Sequence, residues 1–407
     1  MGILAGALSL ALASHAISID QYPLRQGCDA GKPAVATLRR GDPVEIRFAL
    51  AGSGCYKVMV RSGGKTLEGY VSPEAISGVD AFEQERRTAP ALAVPVTIRA
   101  DGEAIRSAAL SRGAVDAGTQ AARLLEENRP LAALGVLEPV VRSSPKDAGL
   151  LSLAGYAAYR GDDLRAALDY LGRSLELQPS PVVQRLYDRA RQEAQEDKSG
   201  ERLVGTRFQL RYNRADMPPE TARTVLGVLE QEFSRVSLEL GCRLDERIVA
   251  VVQTPEEYRR TTDAAEWSAG QYTGRIRVAA VNQSRLDEAT RRTLAHEVVH
   301  ACLAGLGDYP IWLHEGLAQK LSGQVLGATE AAEVRRLAKS GQLPSLNHLS
   351  QTWARMSRRH ASVAYSTALA AINLFEEHYS GLGVRNLLRN PHLIEQVEAD
   401  LNRRLRE

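Results

Sequence analysis

Aromatic residues make up only 5% of this 407-residue chain, so its cores must be built largely from Ala, Leu and Val. An excess of one charge is also missing: 51 Lys and Arg stand against 49 Asp and Glu, a net +2, and no dense basic block occurs. That balance argues against electrostatic capture of nucleic acid. No apolar run approaches the roughly 18–20 residues that a membrane-spanning helix needs. Cysteine is scarce. The four cysteines stand at 28, 55, 242 and 302 with no CxxC pair, which excludes a cysteine-zinc site and a thioredoxin-type motif. No GxSxG elbow or nucleophilic Cys-His setting is present either. What remains is 44% hydrophobic and 25% charged residues, a globular composition. At about 150 residues per domain, the length predicts two or three domains.

The N-terminus is apolar for a different reason. Ile3 to Ala13 has the length of a signal-peptide core, and Ser14-His15-Ala16 is a small-x-small cleavage site. The departure is the leading segment, which carries no Lys or Arg before Arg25. Residues 1–16 are therefore expected to be a signal peptide and the protein to be exported, periplasmic or extracellular; the alternative is a buried N-terminal helix. In an exported protein Cys28 and Cys55 could be bridged. Cys242 and Cys302 are left as either a pair or two buried thiols.

Residues 17–80 read as short strands separated by Gly and Pro. Ala34–Leu38, Val44–Phe48, Tyr56–Val60 and Glu68–Val71 alternate or carry β-branched residues. Gly64-Lys65-Thr66 is not a phosphate loop, because the first glycine of that motif would fall on Met59. The rhythm of Leu38, Gly41, Asp42, Val44, Tyr56, Val58, Gly69 and Val71 resembles a bacterial SH3-like domain, which implies a small all-β barrel that binds peptides or cell wall or packs on a neighbour. Residues 81–114, rich in Ala, Arg and Pro, read as a linker with one strand at Val94–Ile98.

Residues 115–198 are helical and contain a repeat. Ala133 recurs as Ala167, Leu137 as Leu171 and Pro145 as Pro179, each after 34 residues. Small residues at 121/155 and 133/167 let paired helices approach, and each proline stops a helix. This pattern resembles the tetratricopeptide repeat, which implies two helical hairpins, a further helix from Pro181 to Glu196, and a protein-docking surface. A polar stretch around Gly200 marks the next boundary. Beyond it, Phe208–Tyr212 and Arg247–Val252 read as strands, Glu220–Leu240 as a helix and Tyr272–Val278 as an edge strand. The chain after 286 is mostly helical. Strands first and helices afterwards predict an α+β domain over 200–407.

The chemistry concentrates in Leu294-Ala-His296-Glu297-Val-Val-His300. A helix starting near Ser284 or Asp287 and ending at Gly305 would place His296 and His300 one turn apart on one face, where two imidazoles can bind one metal. Glu297, rotated about 100° around the helix, borders the metal without ligating it and can take a proton from water. A second element follows at Pro310-Ile-Trp-Leu-His314-Glu315-Gly-Leu-Ala-Gln319. Glu315 can supply a third, carboxylate ligand and leave a coordination position open for water; His314 is the alternative ligand.

These two elements, with Phe208-x-Leu-x-Tyr212 and the Gly270–Val278 strand, resemble a peptidase MA-like domain, a relative of the thermolysin and aminopeptidase-N enzymes. The resemblance covers Arg207 to about Gly381. It implies one Zn²⁺ per chain held by His296, His300 and Glu315, with Glu297 as general base. Two departures stand out. Where thermolysin-type enzymes carry an Asp four residues beyond the ligand Glu, this chain has Gln319, whose oxygen can accept an imidazole N–H but brings no charge. The oxyanion-stabilising residue is not fixed by motif; Tyr365 is the first candidate and Tyr272 the second.

The expected protein is multidomain: a leader (1–16), an SH3-like barrel (17–80), a linker (81–114), tetratricopeptide-type repeats (115–198) and an α+β gluzincin-type metallopeptidase domain (200–407). The expected function is zinc-dependent hydrolysis of peptide bonds, through a zinc-bound water activated by Glu297, with Tyr365 assisting. Peptide or protein substrates are implied, with a protein or cell-wall partner for the accessory modules and neither nucleic acid nor a transmembrane helix. The competing expectation is a non-catalytic scaffold that works through its SH3-like and repeat modules around a structural zinc.

Overall fold

The computed structural model describes residues 15–28, 31–50, 55–62, 65–80, 92–94, 104–106, 116–196, 200–262, 264, 268–280, 284–350, 353, 356 and 358–407. The expected leader lies outside them except for His15 and Ala16. Two compact units emerge. One holds the described residues of 1–91 with Ala264; the other holds those of 92–263 and 268–407.

The first unit is a curled, antiparallel seven-stranded sheet forming a half-barrel. Its strands are β1 (His15–Ile17), β2 (Tyr22–Arg25), β3 (Ala34–Leu38), β4 (Pro43–Leu50), β5 (Cys55–Ser62), β6 (Lys65–Val71) and β7 (Ile76–Ser77), in the order β3-β2-β6-β5-β4-β1-β7. Alternation along β5 buries Val58 and Val60 against Leu24, Leu38 and Val71. The strand pattern legible in the sequence is thus an inward face. Gly69 is required where β2 crosses β6, because a methyl there would lie 2.6 Å from Leu24 Cγ. Cys28 and Cys55 are bridged across a Cα–Cα distance of 5.8 Å.

The second unit begins with a short strand, β8 (Leu92–Val94), and continues with five helices: α1 (Asp116–Glu126), α2 (Pro130–Ser143), α3 (Ala148–Arg160), α4 (Leu164–Leu177) and α5 (Pro181–Glu196). They pack in sequential antiparallel neighbours around a core of Leu and small residues, including Ala121, Ala133, Leu137, Ala167 and Leu171. The 34-residue spacing therefore marks contact positions. Gly155 sits where a Cβ would meet Leu171 Cγ at 2.5 Å, so only glycine lets α3 approach α4 this closely. Helices α2 and α4 both end two residues before a proline, as expected. Ile105, in the expected linker, is buried in the same core.

Strands β9 (Gly200–Val204), β10 (Phe208–Asn213), β11 (Ile248–Gln253), β12 (Ser268–Tyr272) and β13 (Ile276–Ala279) join β8 in a mixed sheet ordered β8-β12-β13-β11-β10-β9. β11, an apolar run buried throughout, lies inside the sheet between β13 and β10. The expectation at Tyr272–Val278 is corrected. That stretch is a hairpin: Gly274 adopts φ +84 between β12 and β13, a left-handed turn that breaks the strand. β13 is consequently interior, paired to β11 and β12, and offers no free edge. The strand expected at Val94–Ile98 is observed at Leu92–Val94; 95–98 lie outside the described residues.

Helices α6 (Pro219–Leu240), α7 (Pro255–Thr262), α8 (Glu288–Leu306), α9 (Ile311–Leu321), α10 (Ala328–Lys339), α11 (Arg358–His378), α12 (Val384–Arg389) and α13 (Ile394–Arg404) complete the unit. α8 lies across β12 and β13 and packs on α6 and α9. No helix among the described residues is long and apolar enough to cross a membrane.

The repeats and the sheet are joined by buried charge. Asp162, in the α3–α4 turn at φ +68, accepts from Arg211 Nη1 and Arg275 Nη2, each at 2.5 Å. Glu193, on α5, accepts from Arg275 Nη1 at 3.0 Å, from Arg277 Nη2 at 2.5 Å and from the Tyr159 hydroxyl. All these side chains are at most 5% exposed. Sequence reading missed the network because its members are separated by up to 118 positions and stand in no local pattern.

Candidate metal centre

α8 begins where a capping residue demands. Asp287 caps it by accepting from Thr290 N at 2.7 Å, and Glu288 follows in the first turn. The helix runs to Leu306, one residue beyond the expected Gly305. Its inner faces bury Leu294, Val298, Val299 and Leu303, which fixes the rotation of His296 and His300. The Cys242–Cys302 disulfide pins the following turn to the segment after α6, settling those two cysteines as a pair.

α9 brings the third group. Glu315 lies in a helix whose Trp312 is fully buried and donates through Nε1 to Glu398 at 2.7 Å. Gly316, the residue after Glu315, faces α11: a methyl there would lie 2.5 Å from Ile372 Cγ1 and 2.7 Å from the Ala368 carbonyl. The glycine of the Glu-Gly pair is thus a packing requirement that sets the depth of Glu315.

His296 Nε2 lies 3.2 Å from Glu315 Oε2, and His300 Nε2 lies 3.2 Å from Glu315 Oε1. Their ring centroids are 4.8 Å apart. Ligand atoms from His296, His300 and Glu315 all fall within 4.8 Å of one another, so this buried cluster could hold a metal ion. His314 is not in that group. It is buried behind it, its ring 5.8 Å from that of His300.

The polar atoms of the site fit a cation. Both carboxylate oxygens of Glu297 and Nδ1 of His300 are buried without a hydrogen-bond partner, and His300 Nε2 and Glu315 Oε1 face each other at 3.2 Å. Such atoms are costly unless something coordinates them. Protonation points the same way. Burial pushes the His296 imidazolium down despite its hydrogen bond to Glu315, favouring the neutral ring. Burial alone would raise Glu315, but the neighbouring charge of His300 and hydrogen bonds from both imidazoles hold it at about 2. Neutral imidazoles and an ionised carboxylate are the forms that ligate. Glu297 is pushed well above its ordinary value by burial and by the charge of Glu315.

Around this cluster stand residues of both kinds, expected and missed. Tyr365, on α11, is buried beside the site; burial, then the charges of Glu315 and Glu297, push its hydroxyl well up, and it hydrogen-bonds to Glu315. The helix that carries it starts at Arg358. Tyr272 is buried at the end of β12. Gln319 does not take the role foreseen for its oxygen. Its Nε2 donates to the Glu315 and Tyr365 carbonyls at 3.2 and 3.0 Å, and its Oε1 accepts no imidazole N–H. Missed altogether was Gly270 as a spacer: a methyl there would lie 2.5 Å from Glu297 Oε1. Tyr258, also missed, is buried, which pushes its hydroxyl up, with the Glu297 charge adding to the rise; it hydrogen-bonds to Ser268 at 2.6 Å.

No protein-family model and no curated protein matches this chain. What the centre does must be read from its chemistry.

Proposed function

We propose that this protein is an exported zinc metallopeptidase of the gluzincin type, with an SH3-like barrel and tetratricopeptide-type repeats as accessory parts. The observation that carries the reading is the convergence of His296, His300 and Glu315 with Glu297 buried alongside. Two imidazoles and one carboxylate form a three-ligand set suited to zinc, with room in the coordination shell for a reactant. Zinc bound there would supply Lewis-acid polarisation of a carbonyl and a more acidic water.

The chain's own residues do the rest. Glu297 is next in sequence to His296 but rotated off the ligand face, so its carboxylate is placed to take a proton from the attacking water and return it to the departing amine. A cation nearby would oppose the burial that pushes its pKa up. Tyr365, touching Glu315, is placed to donate to the developing oxyanion. Peptides or proteins are the substrate class, and the two disulfides fit an oxidising, exported setting.

The test uses zinc content and cleavage of an unfolded fluorogenic protein. His300→Ala removes a ligand and should lose most of the metal. Glu297→Gln keeps the ligand set and should retain about one zinc per chain while turnover falls roughly 10²–10⁴-fold. If Glu297→Gln keeps full activity, hydrolysis does not come from this centre and the metal is structural, as in the scaffold reading.

A further inference from the structure

The strand that borders Glu297 is β12, and its outer side is paired with the chain's own β8. β8 runs parallel to β12 with Leu92 opposite Ser268, Ala93 opposite Gly270 and Val94 opposite Gln271. Gly270 is the residue whose missing side chain makes room for Glu297. β8 also lies against α8, the helix of His296 and His300. An extended backbone bound on this side of β12 therefore runs directly beside the base and the metal ligands. β13 is enclosed by β11 and β12, and β12 by β13 and β8, so a peptide could pair with β12 on this side only where β8 now lies.

We propose that β8 is a resident internal competitor, paired along β12 where an extended peptide would lie beside the centre. This rests on the peptidase reading for its consequence, though not for its test. A strand of three residues in a parallel ladder, with an irregular register between Ser268 and Gly270, is a short and displaceable partner. Its advantage is tethering. A segment on the same chain competes at an effective concentration of about millimolar, which weak peptides must exceed. The protein is then held self-inhibited until a substrate that binds this side of β12 more tightly, or a change in the segment around 92–94, frees β12.

The experiment compares the zinc-loaded full chain carrying Glu297→Gln, which prevents turnover, with the same chain also carrying Leu92→Gly, Ala93→Pro and Val94→Gly. Proline removes a backbone donor and the glycines weaken the strand, while the other five strands are untouched. The probe is a fluorescein-labelled peptide copying residues 88–98, read by anisotropy. Weakening β8 should tighten probe binding about 10-fold, with zinc content unchanged. Equal affinity overturns the proposal and leaves β8 as a structural edge. A parallel measurement on chains with Glu297 intact separates the two readings. There, the β8 substitutions should lower KM about 10-fold with little change in kcat. Tighter probe binding with no cleavage by either chain would sink the peptidase reading and leave the competition for β12 standing.

Discussion

Arg275, at the turn of the β12–β13 hairpin, donates to Glu193 on α5 at 3.0 Å, and neither side chain is more than 4% exposed. The same guanidinium reaches Asp162 in the turn between α3 and α4. One arginine thus ties two parts of the helical array to the hairpin whose first strand borders Glu297. The cluster holds three buried guanidiniums, of Arg211, Arg275 and Arg277, and the exposed Arg202 against two carboxylates, so each carboxylate is needed.

Glu193→Ala should therefore cost roughly 3–5 kcal/mol, the range for leaving a buried charge uncompensated. Urea unfolding measures it. Arg123→Ala, which breaks an exposed pair with Glu127 on α1, is the control and should change little. A fragment limited to 200–407 loses both carboxylates and should fail to unfold cooperatively. A cooperative transition in that fragment would show that the repeats are dispensable to the sheet.

Acid should loosen the same junction. Burial would raise the Glu193 carboxyl, but Arg277 and Arg275, then Arg211, overcome it and hold the group at about 2, below its ordinary 4.5. A depressed folded pKa contributes stability that is complete above 4.5 and is lost as pH falls toward 2. The wild type should lose on the order of 3 kcal/mol through this group across that window. In Glu193→Gln that slope should be flatter. Parallel stability–pH curves for the two proteins would remove Glu193 from the account.

Local pattern made much of this architecture legible. The alternation at 34–38 and 56–60, the 34-residue spacing of Ala133 and Ala167, and the four-residue spacing of His296 and His300 each follow from the period of one element. Glu315 was reachable because its helix follows α8 closely. What was not legible depends on contacts distant in sequence. Asp162 and Arg275 are 113 positions apart, and nothing near either announces the other. Gly274 was read through because the residues on both sides alternate, although a single glycine at positive φ suffices to turn the chain. Gln319 looked like a partner for an imidazole by position, yet the amide is committed to two carbonyls of neighbouring helices.

Gly270 tests whether the space beside Glu297 matters. A methyl would overlap Glu297 Oε1 at 2.5 Å and Thr293 Cγ2 at 2.6 Å. Gly270→Ala should cost about 1–3 kcal/mol by overpacking. Zinc binding should persist, because His296, His300 and Glu315 lie on other contacts. Cleavage should fall at least about 10-fold as the carboxylate is displaced. Unchanged cleavage would mean that the position of Glu297 is not set by β12.

The Cys242–Cys302 disulfide closes a 60-residue separation and holds α8 one half-turn past His300. Loop-closure entropy for that length is about 4 kcal/mol. Replacing both cysteines by alanine should lower stability by that order, and it should also weaken zinc binding, because the turn carrying His300 is then free to fray. Replacing Cys28 and Cys55 removes a crosslink with a separation of 27 in the other compact unit, so it should lower stability there and leave zinc affinity unchanged. Thermal unfolding and competitive zinc titration on the two double variants read both effects. If zinc affinity survived loss of Cys242–Cys302 intact, then α8 would be held by its packing on α6 and α9 alone, and the disulfide would serve only the stability of the fold.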